Sequence, residues 1–387
     1  FSKASLKGVT ILDQHQDTLL YGDILVDIKN FNYDKQSMVL HRIVLNDATA
    51  KLIKYKGDTV FNYQYLVDYF DSGTKDTVKR QGWDIKFGEI ILNNVNFAYR
   101  KEKYVTPVTR NINFDDILLK HTSGKISGLR INGDTIFASV SNLKTIEQTG
   151  FELSNLTTKA IISEKRLLCE NIYIKTPRSL IKGKIDFSSS GWDDYTDFIQ
   201  KVKMDSYLED STYVHFDDIA AFAEELNGLG KTVSVSGEVK GFVNDLNIKN
   251  LNLAYGSRTR FKGNINLSGL PDINSSYLHF DASEMSTNYA DISSVPDYPF
   301  SENKKLVLPE ELKKLGTITY KGKFDGFVSD FTAYGRFTTG LGDLSTKLSV
   351  RLGEKMDDIV YHGFIQTSNF DLGTLIGQRD LNALSIN

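Results

Sequence analysis

Adjacent aspartates are the residues of this sequence that come nearest to an acid–base pair. They occur at positions 115–116, 193–194, 217–218 and 357–358. Neighbouring residues on a strand point to opposite faces, so such a pair does not bring two carboxyl groups to one substrate. Two of the pairs open predicted helices, where carboxylates favour the free backbone N–H groups. We therefore interpret all four pairs as helix caps or solvated turns.

The six histidines and the single cysteine lack the spacing of a metal site. Cys169 follows two leucines, which is typical of a small core residue, and a lone cysteine forms no intrachain disulfide. The triplet 230–232 reads Gly-Lys-Thr, but it lacks the earlier glycine and the strand–loop–helix order of a phosphate-binding loop. The sequence predicts no metal, no cofactor and no enzymatic activity.

The overall composition favours β-sheet and excludes several functional classes. The 387 residues carry a formal net charge of -3, which gives no electrostatic reason to expect nucleic acid as a partner. With 29 Gly, 23 Phe and 19 Tyr against 6 Pro, strands and turns are favoured. The sequence contains no run of 18 apolar residues, so it predicts no membrane-spanning helix. Because the sequence begins within a pattern and without Met, we expect it to be a piece of a longer protein.

A repeated stretch shows which elements position the side chains. Residues 233–245 read VSVSGEVKGFVND, and residues 318–330 read ITYKGKFDGFVSD. Apolar and polar side chains alternate in both, which predicts strands with one apolar and one polar face. The shared Gly-Phe-Val before an Asp predicts a turn that starts the next strand. The stretch 176–187 resembles 255–267 in the same way, and 340–350 is a looser copy.

Most of the remaining chain consists of short alternating runs with turn residues about every ten positions, which is typical of an antiparallel all-β array. Apolar residues at helical spacing predict helices at 62–70, 192–202 and 216–229. The domain organisation we expect is as follows: residues 1–190 as the N-terminal part of a β-groove with the short helix near 62–70 inserted, 191–231 as a helical insertion, and 232–387 as repeated groove units, divided into 233–315 and 316–387.

We predict an all-β fold with a few short helices, in which an elongated antiparallel sheet curls into a groove. The inner face would be apolar, and an open apolar face needs either closure or an acyl chain as partner. The alternative is that the inner residues pack on each other as an ordinary core. The residues predicted to line the groove are Ile181, Ile185, Val233, Val235, Val239, Phe261, Ile265, Leu267, Ile318, Tyr320, Phe324, Leu348 and Val350.

Several short motifs cover nearly the whole chain: LKGVTILD at 6–13 with DTLLYGD at 17–23, IVLNDA at 43–48 with FNY at 61–63, TPRSL at 176–180, FDDIAAF at 216–222, and the Gly-Phe turns at 241–242 and 326–327. These motifs resemble AsmA/TamB-type proteins and, taken together, the Bacteroidota branch of TamB. They are structural motifs, and none is a catalytic signature.

The resemblance implies a periplasmic protein anchored in the inner membrane by a segment outside this sequence. It implies a long β-groove, or β-taco, of the bridge-like lipid-transfer type, and a TamA-like barrel in the outer membrane as partner. The function expected from it is the carriage of phospholipid between the inner and outer membranes, with phospholipid acyl chains as the bound partner.

A second hypothesis comes from a different functional class. The chain would be a scaffold or chaperone that assists assembly of outer-membrane β-barrel proteins, with exposed strand edges pairing to nascent strands. An enzyme such as a sheet-based polysaccharide lyase is a distant third, because it would need a cluster of carboxylates or basic residues that the sequence does not show.

Overall fold

The structure is a computed structural model that describes residues 3–34, 36–70, 84–301, 303–352, 360–378 and 384–386. Its residue contacts divide the chain into two units. Unit 1 comprises Phe1–Ser163 and Leu167–Arg178, and unit 2 comprises Glu164–Arg166 and Ser179–Asn387. The division lies before residue 190, where the sequence placed the first boundary.

Unit 1 is built of long strands that pair in chain order from the first to the seventh. One predicted helix is present, at the place expected from the sequence. The elements are β1 (Lys3–Leu12), β2 (Thr18–Asn32), β3 (Ser37–Lys54), α1 (Gln64–Phe70), β4 (Asp84–Lys101), a 3₁₀ helix (Glu102–Tyr104), β5 (Asp116–Asn132), β6 (Thr135–Glu147), β7 (Glu152–Ser163) and β8 (Arg166–Lys175).

The pairing of β3 with β4 is parallel, so the prediction of a wholly antiparallel array is wrong at this place. Ser37 lies opposite Asp84 and Lys54 opposite Lys101, so the two strands run side by side over their full length. A tight hairpin joins antiparallel strands only, whereas parallel neighbours need a longer crossover connection. The segment that contains α1 supplies that connection.

Unit 2 has shorter strands, and the pairings between its described strands are antiparallel. β9 pairs with β10 and with β11, and both of these strands also pair with β12. β12 to β15 form a first meander, β18 to β21 form a second one, and β15 pairs with β18 to join them. The strands are β9 (Leu180–Ser188), β10 (Lys203–Leu208), β11 (Tyr213–His215), β12 (Thr232–Phe242), β13 (Asp245–Tyr255), β14 (Thr259–Ser268), β15 (Tyr277–Asn288), β16 (Pro296–Ser301), β17 (Lys304–Lys305), β18 (Thr317–Phe327), β19 (Asp330–Thr339), β20 (Gly342–Arg351), β21 (Val360–Phe370) and β22 (Leu384–Ile386).

The helices of unit 2 are single turns, shorter than the sequence predicts. The helix expected at 192–202 is a 3₁₀ segment followed by one α-turn, and the one expected at 216–229 is interrupted where Ala223 adopts an extended conformation. Isolated turns of this length gain little from helix formation itself. The segments are α2 (Phe198–Lys201), α3 (Phe216–Ala220), α4 (Tyr289–Ser293), α5 (Leu372–Ile376) and 3₁₀ helices at Trp192–Asp197, Glu224–Leu226 and Glu310–Leu315.

The turn predicted from the repeated Gly-Phe-Val motif is confirmed in both copies. Phe242 pairs with Asp245, and Phe327 pairs with Asp330, so two residues close each hairpin. The glycine before each Phe has a positive φ, and a Cβ at Gly326 would lie 2.4 Å from the carbonyl oxygen of Asp330. The glycine is therefore required by the close approach of the returning strand.

Candidate functional site

The apolar face of the sheet in unit 2 is the candidate site. Directly opposed residues of neighbouring strands lie on the same face of a sheet. One row runs from Val235 through Leu253, Phe261 and Met285 to Tyr320. Followed in this way from β9 to β20, the pairing places all thirteen predicted lining residues on one face. Their role in lining a lipid groove stays a prediction.

These thirteen residues differ in how far they are closed off from solvent. Phe261 and Tyr320 are buried, with 8% and 7% of their surfaces exposed. They form a cluster with Leu251 and Ala282, against which Val235 and Ile265 pack. The other lining residues are half-buried, as expected for a face that is covered only in part: Ile181, Ile185, Val233, Val239, Leu267, Ile318, Phe324, Leu348 and Val350.

Two bulges reverse the alternation and hide further members of the face from a strict period-two reading. In β13 the register shifts between Ile248 and Leu251, where Asn250 has a φ of 51°. In β15 it shifts between Ala282 and Met285. Both shifts occur where two polar residues stand side by side between apolar ones, and that sequence signal would have found them. The residues missed in this way include Leu251, Leu253, Phe280 and Met285.

Aromatic rings form a continuous ladder across this face. Phe280 stacks on Phe324, with ring centroids 5.0 Å apart and an interplanar angle of 3°. Phe324 in turn stacks on Phe331 at 4.8 Å, and Phe261 meets Phe280 edge-on at 5.8 Å. Such pairs are each worth about 0.5–1.5 kcal/mol beyond the area they bury. The ladder fixes the relative positions of four neighbouring strands.

A row of small residues, which we call the crease, crosses the same face on five neighbouring strands. A Cβ added at Gly263 would lie 2.0 Å from the carbonyl oxygen of Asp281, and one at Gly322 would lie 2.2 Å from that of Tyr334. The backbones therefore approach too closely for side chains at these positions. The crease consists of Gly263, Ala282, Gly322, Gly335 and Thr346.

Tyr320 fills the central part of the crease. Its hydroxyl oxygen lies 2.8 Å from the carbonyl oxygen of Lys323 and 3.1 Å from that of Tyr334. The ring covers Gly335, since a Cβ there would come within 2.8 Å of it. Burial raises the pKa of the Tyr320 phenol, so the group stays a neutral donor. Around this ring the face is sealed by its own side chains, and any ligand must lie to either side of it.

The hydroxyl of Thr346, at the end of the crease, differs from other buried threonines of the sheet. Thr287 shares a hydrogen bond with Thr259 at 2.9 Å, and Thr367 donates to the carbonyl oxygen of Asp343 at 2.7 Å. The Thr346 hydroxyl has no partner within the described residues. A buried polar group without a partner costs about 1–3 kcal/mol, so this position is less well satisfied than its neighbours.

The opposite face of unit 2 carries charges that pair across strands. Lys323 lies 3.4 Å from Asp281, and Arg351 lies 2.9 Å from Asp330. His279 contacts Asp325 at 3.1 Å, and this contact is the main reason why the pKa of Asp325 is lowered. All of these side chains are exposed. The two faces are thus chemically distinct, as the alternating sequence predicts.

Two buried carboxylates, Asp291 in unit 2 and Asp13 in unit 1, hold turns. Asp291 of α4 accepts hydrogen bonds from the backbone N–H groups of Ser257, Arg258 and Thr259 at 3.0, 2.7 and 2.8 Å. Burial alone would raise the pKa of Asp291, but these bonds outweigh it and lower the pKa to about 2. Asp13 plays the same part between β1 and β2, where it accepts from the N–H groups of His15 and Asp17.

The adjacent aspartates have different roles. The interpretation of all four pairs as helix caps or solvated turns is correct for only some of them. Asp194 accepts from the N–H of Ser190 at 2.6 Å, at the start of a 3₁₀ helix. Asp116 is buried and bonds Arg100 Nε at 2.6 Å, so a solvated turn is the wrong description there. The pair at 357–358 lies outside the described residues.

The single cysteine is poorly placed for nucleophilic chemistry, and candidate metal ligands do not converge in the part of the chain that the structure describes. Cys169 is half-buried, and burial raises the pKa of its thiol, which disfavours the reactive thiolate. Across residues 3–34, 36–70, 84–301 and the shorter described stretches after them, no group of three or more His, Cys, Asp or Glu side chains is placed to hold a metal ion.

Unit 1 has an apolar face of its own with smaller buried residues. Ala48 is fully buried, Val95 is 5% exposed, and both belong to the region where β3 and β4 pair. Thr122 and Thr145 share a hydrogen bond of 2.8 Å between buried hydroxyls on β5 and β6. The buried hydrophobic residues among the described part of unit 1 are aliphatic, with leucines such as Leu19 and Leu40 beside the smaller ones, whereas unit 2 also buries the rings of Phe261 and Tyr320.

The comparisons with known proteins leave the family open. None of the helices in the described ranges has the length and apolar character needed to cross a bilayer. No family model, no curated protein and no solved structure matches this chain.

Proposed function

We propose that this chain carries phospholipid between the inner and outer membranes of a bacterial envelope along the apolar face of its sheet. The proposed setting is the periplasm, with an inner-membrane anchor outside this sequence and a TamA-like barrel as outer-membrane partner. The observation that carries the proposal is the incomplete burial of most of the thirteen lining residues. A closed core would bury them, and a polar ligand would gain nothing from them.

The energetics favour an acyl chain as the ligand. Moving one CH₂ group out of water onto an apolar surface stabilises it by about 0.8 kcal/mol, so a chain in partial contact with many half-buried residues gains several kcal/mol. The attraction has no directional component, and it lets a chain slide along the face. No single hydrogen bond would have to break as it moves.

The packing around Tyr320 changes which residues are useful to test. A charge at Val235 or Ile265 would interrupt the apolar path. Both residues pack against the buried cluster, so a charge there would also destabilise the sheet. Leu348 lies outside that cluster and is half-buried, and its neighbour Ser349 is exposed on the opposite face.

The test is transfer of fluorescent phospholipid between donor and acceptor vesicles by purified protein, combined with native mass spectrometry for co-purified lipid. We expect Leu348→Asp to lower the transfer rate about tenfold, because a charge interrupts the apolar path. Ser349→Asp places the same charge on the other face of the same strand and should leave the rate unchanged. Equal transfer by the two variants would contradict the proposal. So would wild-type protein that co-purifies without lipid and transfers none.

A further inference from the structure

The polar outer face of unit 2 has a cavity of about 420 Å³ between the bulges of β13 and β15, which we call the outer cleft. Each bulge adds an unpaired residue and bends its strand locally, so the side chains on this face are not evenly spaced there. A volume of this size is in the range of small-molecule sites, about 300–1,000 Å³. The side chains that line it from the outer face are all polar: Asn250, Asn252, Lys262, Asn264, Asp281 and Ser283.

Several polar groups of the outer cleft keep unused hydrogen-bonding capacity. Asn264 accepts from the N–H of Asn250 through Oδ1 at 3.0 Å, which leaves its Nδ2 as a donor. Asp281 contacts Lys323 through Oδ2 at 3.4 Å, which leaves Oδ1 as an acceptor. Within the described residues the amide of Asn252 has no hydrogen-bond partner, and the residue is exposed. The cleft therefore offers donors and acceptors from three neighbouring strands.

The charges around the outer cleft narrow the chemical class of its ligand. Its lysines are already paired, Lys323 with Asp281 and Lys262 with Glu284 at 3.5 Å, so a phosphate would gain little and would meet carboxylates. An apolar ligand would leave the amides unpaired. A metal ion would need three or more ligating side chains together, and the described residues contain no such group. A neutral ligand rich in hydroxyl groups fits, because each hydroxyl both donates and accepts.

Two aromatic rings extend the same face beyond the outer cleft. Tyr277 and Phe327 lie opposite each other on β15 and β18, with ring centroids 5.2 Å apart, and are 40% and 41% exposed. Alternation along β15 puts Tyr277 on the same face as Asp281, about 13 Å away along the strand. A sugar ring has C–H groups on its faces and hydroxyls at its rim, so it packs on aromatic rings and bonds amides. The row between the rings and the cleft is polar: Asn266, His279 and Asp325.

We propose that the outer cleft and the Tyr277–Phe327 pair bind a linear, neutral oligosaccharide that lies along β15. One sugar unit fills the cleft, where its hydroxyl groups donate to the Asp281 carboxylate and accept from the amides of Asn252 and Asn264. Another unit packs on the two aromatic rings. This inference goes beyond lipid carriage and does not depend on it, because it uses the opposite face of the sheet.

Binding is tested by titration calorimetry of the whole chain with three linear probes, maltopentaose, cellopentaose and chitopentaose. We expect saturable binding of at least one, weakened about tenfold by Asn252→Ala, because that amide bonds the sugar. The same amide has no partner in the fold, so the variant should unfold at the wild-type temperature and transfer lipid at the wild-type rate. Asn303→Ala, at an exposed asparagine in the turn between β16 and β17, is the matched control and should bind as wild type.

The position of the sugar is tested with Tyr277→Trp, which keeps an aromatic ring on the outer face. Its added fluorescence should change on titration with the same dissociation constant that calorimetry gives. No saturable binding of any probe up to about 10 mM, equal binding by Asn252→Ala and wild type, or an unchanged tryptophan signal overturns the proposal. So does a neutral Gly-Ser peptide that displaces the sugar and binds more tightly, because the cleft would then be a peptide site. Loss of lipid transfer by Leu348→Asp should leave sugar binding unchanged, which separates the two proposals.

Discussion

The two units interrupt the regular pleat of their strands with the same two devices, left-handed polar residues and closely approached glycines, in different proportions. In unit 1, four successive strands, β3 to β6, each contain a polar residue with a left-handed φ between 46° and 56°: Asp47, Asn94, His121 and Asn142. In unit 2 such a residue occurs at Asn250 of β13, but the main irregularity is the crease, where three of five neighbouring strands carry glycine on the apolar face. A left-handed polar residue forms a bulge and keeps a side chain outside, whereas a glycine allows neighbouring backbones to approach.

This difference affects how the chain's own side chains fill the apolar face of each unit. The bulged residues of unit 1 link to each other, since Asn94 Nδ2 donates to Asp47 at 2.6 Å and Asn94 Oδ1 lies 2.9 Å from His121 Nδ1. The bulges of unit 1 are thus stabilised by polar side chains, and its buried hydrophobic residues are aliphatic. In unit 2 the apolar face is stabilised by Tyr320 and the aromatic ladder, and partly buried residues remain on both sides of the crease.

The largest loss in the free energy of unfolding is expected when one methyl group is added to the crease. Gly322→Ala would place a Cβ 2.2 Å from the carbonyl oxygen of Tyr334 and 2.6 Å from Gly335 Cα, and both are backbone atoms that cannot swing away. We expect a loss of about 3 kcal/mol in the free energy of unfolding, measured by urea denaturation. Gly340→Ala, whose nearest contact is at 3.3 Å, is the control and should cost less than about 1 kcal/mol. Similar values for both would show that the crease tolerates side chains.

The alternating pattern was sufficient to predict strands, their two faces and the hairpin turns after Phe242 and Phe327, because these depend on local spacing. It was not sufficient for the parallel pairing of β3 and β4, which depends on where a distant strand docks. The crease was visible only as scattered glycines. Its meaning appears when Gly322 and Gly335 are placed opposite each other, and register is not encoded in either strand alone.

The carboxylate of Asp291 should give the next largest effect, with a defined pH dependence. Its folded-state pKa of about 2 lies below the usual unfolded value of about 3.9, so its contribution is fully present above pH 4 and is lost as pH falls through 2. We expect Asp291→Asn to cost about 2 kcal/mol at pH 7 and much less near pH 2, measured by denaturation at both pH values. A cost that does not change with pH would assign the effect to packing. Asp245→Asn, at an exposed site on β13, should change stability by less than about 0.5 kcal/mol.

A smaller loss of stability is expected from substitutions at the bulges of unit 1. In the crease glycine cannot be replaced, whereas at a bulge glycine is the better tolerated replacement. Asn94→Ala forces a residue with a Cβ and no local hydrogen bond into a φ of 56°, which should cost about 1–2 kcal/mol. Asn94→Gly accepts that φ without strain, so we expect it to cost about half as much. Thermal unfolding of the two variants, side by side, measures the difference. If glycine were the worse of the two, backbone strain would not be what selects asparagine there.

The smallest effect should come from the charges on the outer face of unit 2, although they distinguish the two faces most clearly in the sequence. Lys323 and Asp281 are 3.4 Å apart, with 60% and 47% of their side chains exposed, so water and salt screen their attraction. We expect Lys323→Ala to change the free energy of unfolding by no more than about 0.5 kcal/mol, and 1 M NaCl to remove the difference from wild type. A larger loss that persists in salt would mean that the lysine stem packs on the sheet. With the expected result, these charges contribute little to the free energy of unfolding and mainly keep this face in contact with water. The opposite, apolar face is then the surface that gains free energy by binding a partner.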